Sequence, residues 1–370
     1  VFQRDLLTVS PGTLTVYLLG PGVGETIVVV LPDGRIVVVD SCQQAGVNLA
    51  ARLLTALEVH RIDLLIVTHP DLDHVKGLTE LLHEFDPVRV WRYPFGLLRE
   101  ILAMLGNAAD ATHYTRHAQA VAGAVALDEH LGQRGLVDDV TYGRVWAPPG
   151  ASYTVHALAP TSYDTKRARD RVRGLIEKRH GRWLLSAQAK RWLDDDAPLG
   201  DLPNMVSLGV AIEWGQRRLI LAGDIENGDD SPYSGWAGVL DHLDREDDGR
   251  GRLVDDVDLI KVAHHGSARS FSQIAWERHA RASKTLGVVT TYSPSRLPDK
   301  ATLEALRAHC SRLGIAVDAG DAFDRAMEAG WVAAPAGQPP PESLAPCLKV
   351  VLGENGKPRF HRGQPAGWFE

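Results

Sequence analysis

His69, Asp71, Asp73 and His74 fall within six residues, "HPDLDH" (69–74); Asp224 closes "RRLILAGD", and His264 and His265 stand side by side in "LIKVAHHGS". Imidazoles and carboxylates together form the donor set of borderline and hard divalent ions, and a hydrolytic site needs several of them plus an open position for water. Each has a plain structural role when taken alone. Asp71 or Asp73 could cap the helix begun by "VKGLTELLHEF". His264 could simply be packed. Ser267, just past the histidine pair, could donate to a phosphate oxygen or cap the next helical turn. As a set they point to a metal-dependent hydrolase, since two ions about 3.5–4 Å apart can activate water and stabilise charge on a phosphoryl or carbonyl centre.

The elements that must position these residues are legible from hydrophobic patterning. "LTVYLLG", "ETIVVVL" and "RIVVVD" read as strands, with "PDG" (32–34) as a hairpin turn. Residues 46–58 carry apolar groups at helical spacing, and "RIDLLIVTH" follows as a buried strand that ends at His69. "NMVSLGVAIEWGQRRLILAGD" holds two strands about the turn "WGQ", and "VDLIKVAHHGS" is a strand running into the paired histidines. Three strands thus end in possible ligands, at the carboxyl end where chemistry concentrates in α/β sheets. Residues 96–200 read as a mostly helical, polar insertion or cap, 225–258 as a short helix between acidic loops, and "DKATLEALRAHCSRLG" as an amphipathic helix. The Pro-rich "PAGQPPPESLAP" leads to a terminal hairpin, so the expected division is a main domain over 1–335 and a linker with hairpin over 336–370.

Four stretches, the strand ending at Asp40, "THPDLDHVKGL", "NMVSLGVAIEWGQRRLILAGDIE" and "LIKVAHHGS", resemble the metallo-β-lactamase superfamily, and specifically the soluble hydrolase domain of the ComEC/Rec2 competence proteins. The resemblance implies an α/β fold, an αββα sandwich with a dinuclear site at one edge. It places His69 and Asp71 on a first metal, Asp73, His74 and a late histidine on a second, Asp224 as a bridge and Asp40 as a residue that orients the "HPDLDH" loop by hydrogen bonds. The late ligand is expected to be His265, because that ligand often precedes a glycine; His264 is then a substrate-side group. Asn204 stands where the first metal commonly takes a histidine. Asp71 and Asn204 make that half oxygen-rich, which shifts preference toward Mn²⁺ or Mg²⁺ while Zn²⁺ stays open for the other half. Asp73, Asp224 and His264 are the residues expected to carry catalysis.

Charge narrows the substrate. The 370-residue chain has net charge −7, which argues against coating nucleic acid with its whole surface. Yet between Lys166 and Arg191 ten Lys and Arg face only Asp170 and Glu177, with Trp183 among them and Trp192 next in the chain. Lys166, Arg167, Arg173, Lys178 and Arg179 are the candidate phosphate contacts, as a basic, aromatic-bearing helix can neutralise phosphates and stack bases. A solvated amphipathic helix would look the same. In "TTYSPSRLPDK", Tyr292, Ser293, Ser295 or Arg296 could take substrate contacts in place of a polar segment common in the family. The leading expectation is a phosphodiesterase or nuclease acting on nucleic acid. A hydrolase of a cyclic nucleotide, phosphonate ester or lactone competes, as does a metal-stabilised subunit docking on a protein partner; family association suggests a defence or DNA-processing system. Three separated cysteines, the absence of signal-peptide features in the first twenty residues and the lack of a roughly 20-residue apolar run lead to an expected cytoplasmic protein without a membrane span.

Overall fold

The computed structural model describes residues 2–94, 131–174, 176–179, 182–185, 202–227, 231–246, 250–316, 347–362 and 367–369. Among the described residues, sixteen strands build two mixed sheets. The first contains β1 (Thr13–Leu19), β2 (Thr26–Val30), β3 (Ile36–Val39), β4 (Leu64–Val67), β5 (Val90–Arg92) and β6 (Val137–Asp139). The second contains β7 (Val145–Trp146), β8 (Tyr153–Ala159), β9 (Gly209–Trp214), β10 (Arg217–Leu221), β11 (Leu259–Lys261), β12 (Leu286–Thr290) and β13 (Arg312–Ala316). At the C-terminal end, β14 (Cys347–Gly353) and β15 (Arg359–Arg362) join the first sheet and β16 (Gly367–Phe369) the second. Strand orders are β6-β5-β4-β3-β2-β1-β14-β15 and β7-β8-β9-β10-β11-β12-β13-β16.

Both faces of the central strands are buried, which explains their continuous Val, Ile and Leu runs. In β3, Val37 and Val39 enter the core between the sheets, while Ile36 and Val38 pack outward under the helix Leu49–Ala56 with its Leu53 and Leu54. On the other sheet, Ile220 and Ile260 face outward beneath Trp236, Val239 and Leu243 of the helix Gly235–Arg245, and Leu303 and Leu306 of the helix Lys300–His309. Helix, sheet, sheet, helix is therefore the layer order. Each fully buried Val or Leu contributes roughly 1.5–3 kcal/mol. Asn48 starts the first of these helices by accepting a 3.0 Å bond from Ala51 N–H.

Strand direction sets the site. β3 and β4 run parallel, as do β10, β11 and β12, so their carboxyl ends gather Asp40, His69, Asp224, the His264–His265 pair and Thr290 along one edge.

The structure departs from the expected elements in three places. Part of the expected helical insertion over 96–200 is sheet: Tyr153–Ala159 lies inside the second sheet, paired with β9, because Tyr153, Val155 and Ala157 alternate into the core. The basic stretch is a helix only over Ser162–Gly174, after which Ile176–Arg179 and Arg182–Leu185 pair as an antiparallel ribbon. Nor is the C-terminal hairpin a separate unit, since β14 pairs with all of β1, from Thr13↔Gly353 to Leu19↔Cys347. The Pro-rich linker, Lys190, Arg191 and Trp192 lie outside the described residues. All three cysteines are buried free thiols. Among the described residues, no helix is long and apolar enough to cross a membrane.

Candidate metal centre

The loop after β4 turns directly into a short helix, Leu72–Val75, so that Asp71, Asp73 and His74 project from one tight turn. Asp71 occupies the cap position of that helix without a side-chain capping bond, leaving its carboxylate for other work. Gly24 lies against this turn: a Cβ there would meet Asp73 O at 2.2 Å, and the close approach lets Glu25 N–H donate to the same oxygen at 3.0 Å. At the opposite side, His264 and His265 both have left-handed backbones (φ 47° and 50°), and Gly266 continues the turn at φ 76°. Such conformations cost on the order of 1–3 kcal/mol each at non-glycine residues and persist where surrounding structure enforces them.

Two sets of donors converge. His69 Nε2 lies 3.6 Å from Asp71 Oδ2 and 3.6 Å from Asp224 Oδ2. His74 Nε2 lies 3.5 Å from Asp224 Oδ2 and 3.5 Å from Asp73 Oδ2, and His265 Nε2 lies 3.1 Å from the same Asp73 oxygen. Donors bound at about 2.0–2.1 Å with tetrahedral angles stand about 3.3–3.4 Å apart, so these separations fit a shared cation. His69 Nε2 and His74 Nε2 are moreover buried without a hydrogen-bond partner among the described residues. Burying such atoms uncompensated is costly, and a divalent ion compensates them.

The surrounding hydrogen bonds fix which nitrogen faces the centre. Asp40 Oδ2 lies 2.7 Å from His74 Nδ1 and accepts from Thr68 Oγ1 at 2.7 Å, while Asp40 Oδ1 accepts from Thr68 N–H at 2.8 Å. With its proton committed to Asp40, the Thr68 hydroxyl can only accept from His69 Nδ1, 2.9 Å away. When neutral, both imidazoles therefore carry their proton on Nδ1 and direct the Nε2 lone pair inward, the orientation required of a ligand. His264 is turned by Glu226: Nδ1 lies 2.8 Å from Glu226 Oε1 and Nε2 lies 3.8 Å from Asp224 Oδ2.

Electrostatics follow from burial and proximity. Burial, then the neighbouring His74, pushes His69 down to about 3. Burial and the Asp73 carboxylate push Asp71 up to about 7. Burial opposes ionisation of Asp73, yet His74 and the bond from His265 hold it at about 2. Against burial, Asp224, Asp73 and Asp40 lift His74 well above the usual imidazole range, and His74, His264 and His69 hold Asp224 well below the carboxylate range. His264 is raised against burial by Asp224 and Glu226.

The family model described as "Metallo-beta-lactamase superfamily" matches residues 19–271. The chain belongs to this superfamily. No match was found among curated proteins. Solved structures similar to the chain include the metallo-β-lactamase-fold protein YhfI from Bacillus subtilis, at 10% identity and TM-score 0.38, covering 82% of this chain and 96% of that one. A diphosphatase from the PhnP family is similar at 11% identity and TM-score 0.38, covering 80% and 93%. A metallo-β-lactamase mutant from Cronobacter sakazakii is similar at 16% identity and TM-score 0.34, covering 68% and 77%.

As a metallo-β-lactamase superfamily member the chain is a hydrolase, and the fold brings the candidate metal ligands His69, Asp71, Asp73, His74, Asp224 and His265 together with His264. Asn204 stands beside them: its Nδ2 donates to Glu226 Oε1 at 3.1 Å, while its Oδ1 is buried with no partner among the described residues. Ser267 caps the turn Ala268–Ser270, accepting from Arg269 N–H at 3.4 Å, which is the second of its two expected roles and leaves the phosphate contact unsupported. Tyr292 stacks on His265, with ring centroids 5.1 Å apart. Lys166 and Arg173 are exposed and pair with Asp170, whereas Arg167 Nη1 donates to Ser234 Oγ at 3.2 Å. Lys178 and Arg179 fall on the ribbon, where side chains lie outside the described residues. Sequence reasoning passed over Glu25, Thr68, Glu226, Lys261 and Thr290. Only Glu226, in "GDIE", carried a local signal, as an acid two residues after a ligand candidate.

Proposed function

We propose that the protein is a two-metal phosphodiesterase acting on nucleic acid. The observation that carries this reading is the position of Asp224 Oδ2, 3.6 Å from His69 Nε2 and 3.5 Å from His74 Nε2, between the two donor sets. His69, Asp71 and Asp224, with Asn204 Oδ1 nearby, would hold one ion; Asp73, His74, His265 and Asp224 would hold the other. When bound, the ions supply Lewis-acid stabilisation and water activated at neutral pH. The carboxylates of Asp71 and Asn204's amide oxygen favour Mn²⁺ or Mg²⁺ in the first position, with Zn²⁺ suited to the imidazole-bearing second. His264, a quarter exposed and turned by Glu226, stands on the substrate side as a proton donor or phosphate contact. "HPDLDH" together with "HHGS" supports the ComEC-like branch within the superfamily.

The helix Ser162–Gly174 supports the polyanionic substrate, with Lys166, Arg169, Arg171 and Arg173 all exposed. Aromatic groups stand beside it: Arg167 lies over Tyr163, Tyr163 lies 5.9 Å from Tyr233, and Arg245 lies over Tyr233. Asp164 of this helix and Ser234, which accepts from Arg167, line one small pocket together with Asn204 and Glu226. Guanidinium and tyrosine faces so arranged suit single-stranded nucleic acid. The pairing of Lys166 and Arg173 with Asp170, which offsets part of the helix's positive charge, favours a second reading, hydrolysis of a small phosphodiester. Assays of labelled single-stranded DNA, duplex DNA, RNA and bis(p-nitrophenyl) phosphate with Mn²⁺, Mg²⁺ and Zn²⁺ separate the two. Cleavage of a nucleic acid supports the first; turnover of the small ester alone supports the second; no turnover with any ion defeats both.

A further inference from the structure

Glu25 is 1% exposed and Lys261 is fully buried, and the two form an ion pair directly behind the metal centre. The pair has more connections than a core salt bridge needs. Lys261 Nζ also donates to Gly223 O at 3.0 Å and lies 3.8 Å from Asp224 Oδ1, the carboxylate oxygen turned away from the histidines. Glu25 Oε2 accepts from Thr290 Oγ1 at 2.7 Å, and Thr290 Oγ1 lies 2.8 Å from His265 Nδ1. Through its backbone, Glu25 also donates to Asp73 O at 3.0 Å. One buried residue thus reaches the segments bearing Asp73, Asp224 and His265, which no local sequence feature connects.

Proton direction gives the contacts a consequence. A threonine hydroxyl has a single proton, and here Glu25 takes it. Thr290 can then only accept from His265, so His265 keeps a proton on Nδ1, and Nε2, which faces Asp73, is the nitrogen left to a bound ion. The chain of bonds has the same form as Asp40–Thr68–His69 on the other side of the site. We infer that Glu25 is a positioning residue for the second metal, acting through Thr290 on His265, with Lys261 neutralising Glu25 and steadying Asp224. Glu25, Asp40 and His74 also bring ligand atoms within 4.8 Å of one another. Asp40 is saturated by Thr68 and His74, and Glu25 by Lys261 and Thr290, so this group reads as the layer behind the site and not as a third ion position.

The inference rests on the reading of His265 and Asp73 as metal ligands, and the test keeps the two apart. Mn²⁺ binding to the full chain is titrated calorimetrically, with Asp71→Ala and Asp73→Ala identifying which binding event belongs to which donor set. Thr290→Val removes the hydroxyl at nearly constant shape, and Glu25→Gln keeps the size while removing the charge. Each should weaken the event that Asp73→Ala abolishes by about 10–100-fold and leave the event that Asp71→Ala abolishes within about twofold. The double variant should be no weaker than the worse single, because both interrupt one chain of bonds. Nitrogen-15 spectra of the Zn²⁺-loaded protein should show His265 protonated on Nδ1 in the unaltered chain, with that signal perturbed in Thr290→Val. Because Glu25→Gln leaves Lys261 alone in the core, Glu25→Gln/Lys261→Met serves as the charge-balanced version if the single variant does not fold. Unchanged affinity in Thr290→Val, equal weakening of both events, or additive effects would overturn the inference. Failure of the unaltered chain to bind Mn²⁺ or Zn²⁺ would instead overturn the metal-site reading beneath it.

Discussion

Asp40→Asn is the most informative single change outside the ligands themselves. Asp40 is buried and accepts three hydrogen bonds, from Thr68 N–H, from the Thr68 hydroxyl and from His74 Nδ1. Its φ is 59°, a conformation that asparagine tolerates well, so the substitution adds little backbone strain. Asparagine has one acceptor where two are required. Placed toward Thr68 N–H, the new amide opposes a donor with a donor; placed toward the other oxygen position, it opposes both His74 and the Thr68 hydroxyl. An unmet buried donor costs about 1–3 kcal/mol. In the metal-free protein His74 can relieve the conflict by turning toward Asp224 or Asp73, 3.5 Å away, but a ligand cannot turn. Most of the cost therefore falls on metal binding, a loss of about 10–100-fold in affinity. Calorimetric titration with Mn²⁺, with a thermal melt of the metal-free variant as control, reads this directly. A variant that melts like the parent and binds Mn²⁺ within twofold would refute the claim that Asp40 holds His74 and Thr68 for the site.

Other consequences are equally specific. Asp73→Ala and Asp224→Ala should each lower turnover of bis(p-nitrophenyl) phosphate by about 100- to 1000-fold, corresponding to roughly 3–4 kcal/mol of transition-state stabilisation, and retained full activity would refute their assignment. Since His74 holds its proton well above the usual imidazole range in the metal-free protein, ion uptake must displace that proton; Mn²⁺ affinity should rise by about tenfold per pH unit near neutrality, and a pH-independent affinity would contradict this. His279 is buried against Trp236, and burial lowers it to about 4. A depressed histidine leaves stability intact above its unfolded value of about 6.5 and removes it as pH falls toward 4, by on the order of 3 kcal/mol in full. Urea melts across pH 4–7 should show that slope, and His279→Gln should reduce it. Replacing Lys166, Arg169 and Arg173 with Gln should raise KM for DNA and flatten its salt dependence while sparing the small ester, whereas equal losses on both substrates would count against a nucleic-acid groove.

The ligand-bearing edge was legible because it is written locally. Strands buried on both faces appear as unbroken apolar runs, and Asp40, His69, Asp224 and the histidine pair each follow one of them. The parts that escaped had weaker or contrary signals. Tyr153–Ala159 alternates core and half-buried residues, a strand pattern outweighed by the charged helix after it. The ribbon after Gly174 continues the basic run of that helix, so charge concealed a change of secondary structure. Glu25, Lys261 and Thr290 are ordinary residues of strands and turns, and only the tertiary approach of the two sheets makes them one network. Asn204 was placed by family resemblance alone; its partnership with Glu226 needed coordinates.

Metal content by mass spectrometry, after equilibration with Mn²⁺ and removal of free ion, tests the central claim most directly when the unaltered chain and Asp224→Ala are compared. The account predicts close to two ions per chain, falling to one or none when the shared carboxylate is removed. Fewer than one ion in the unaltered chain, or an Asp224→Ala variant that retains two, would contradict it.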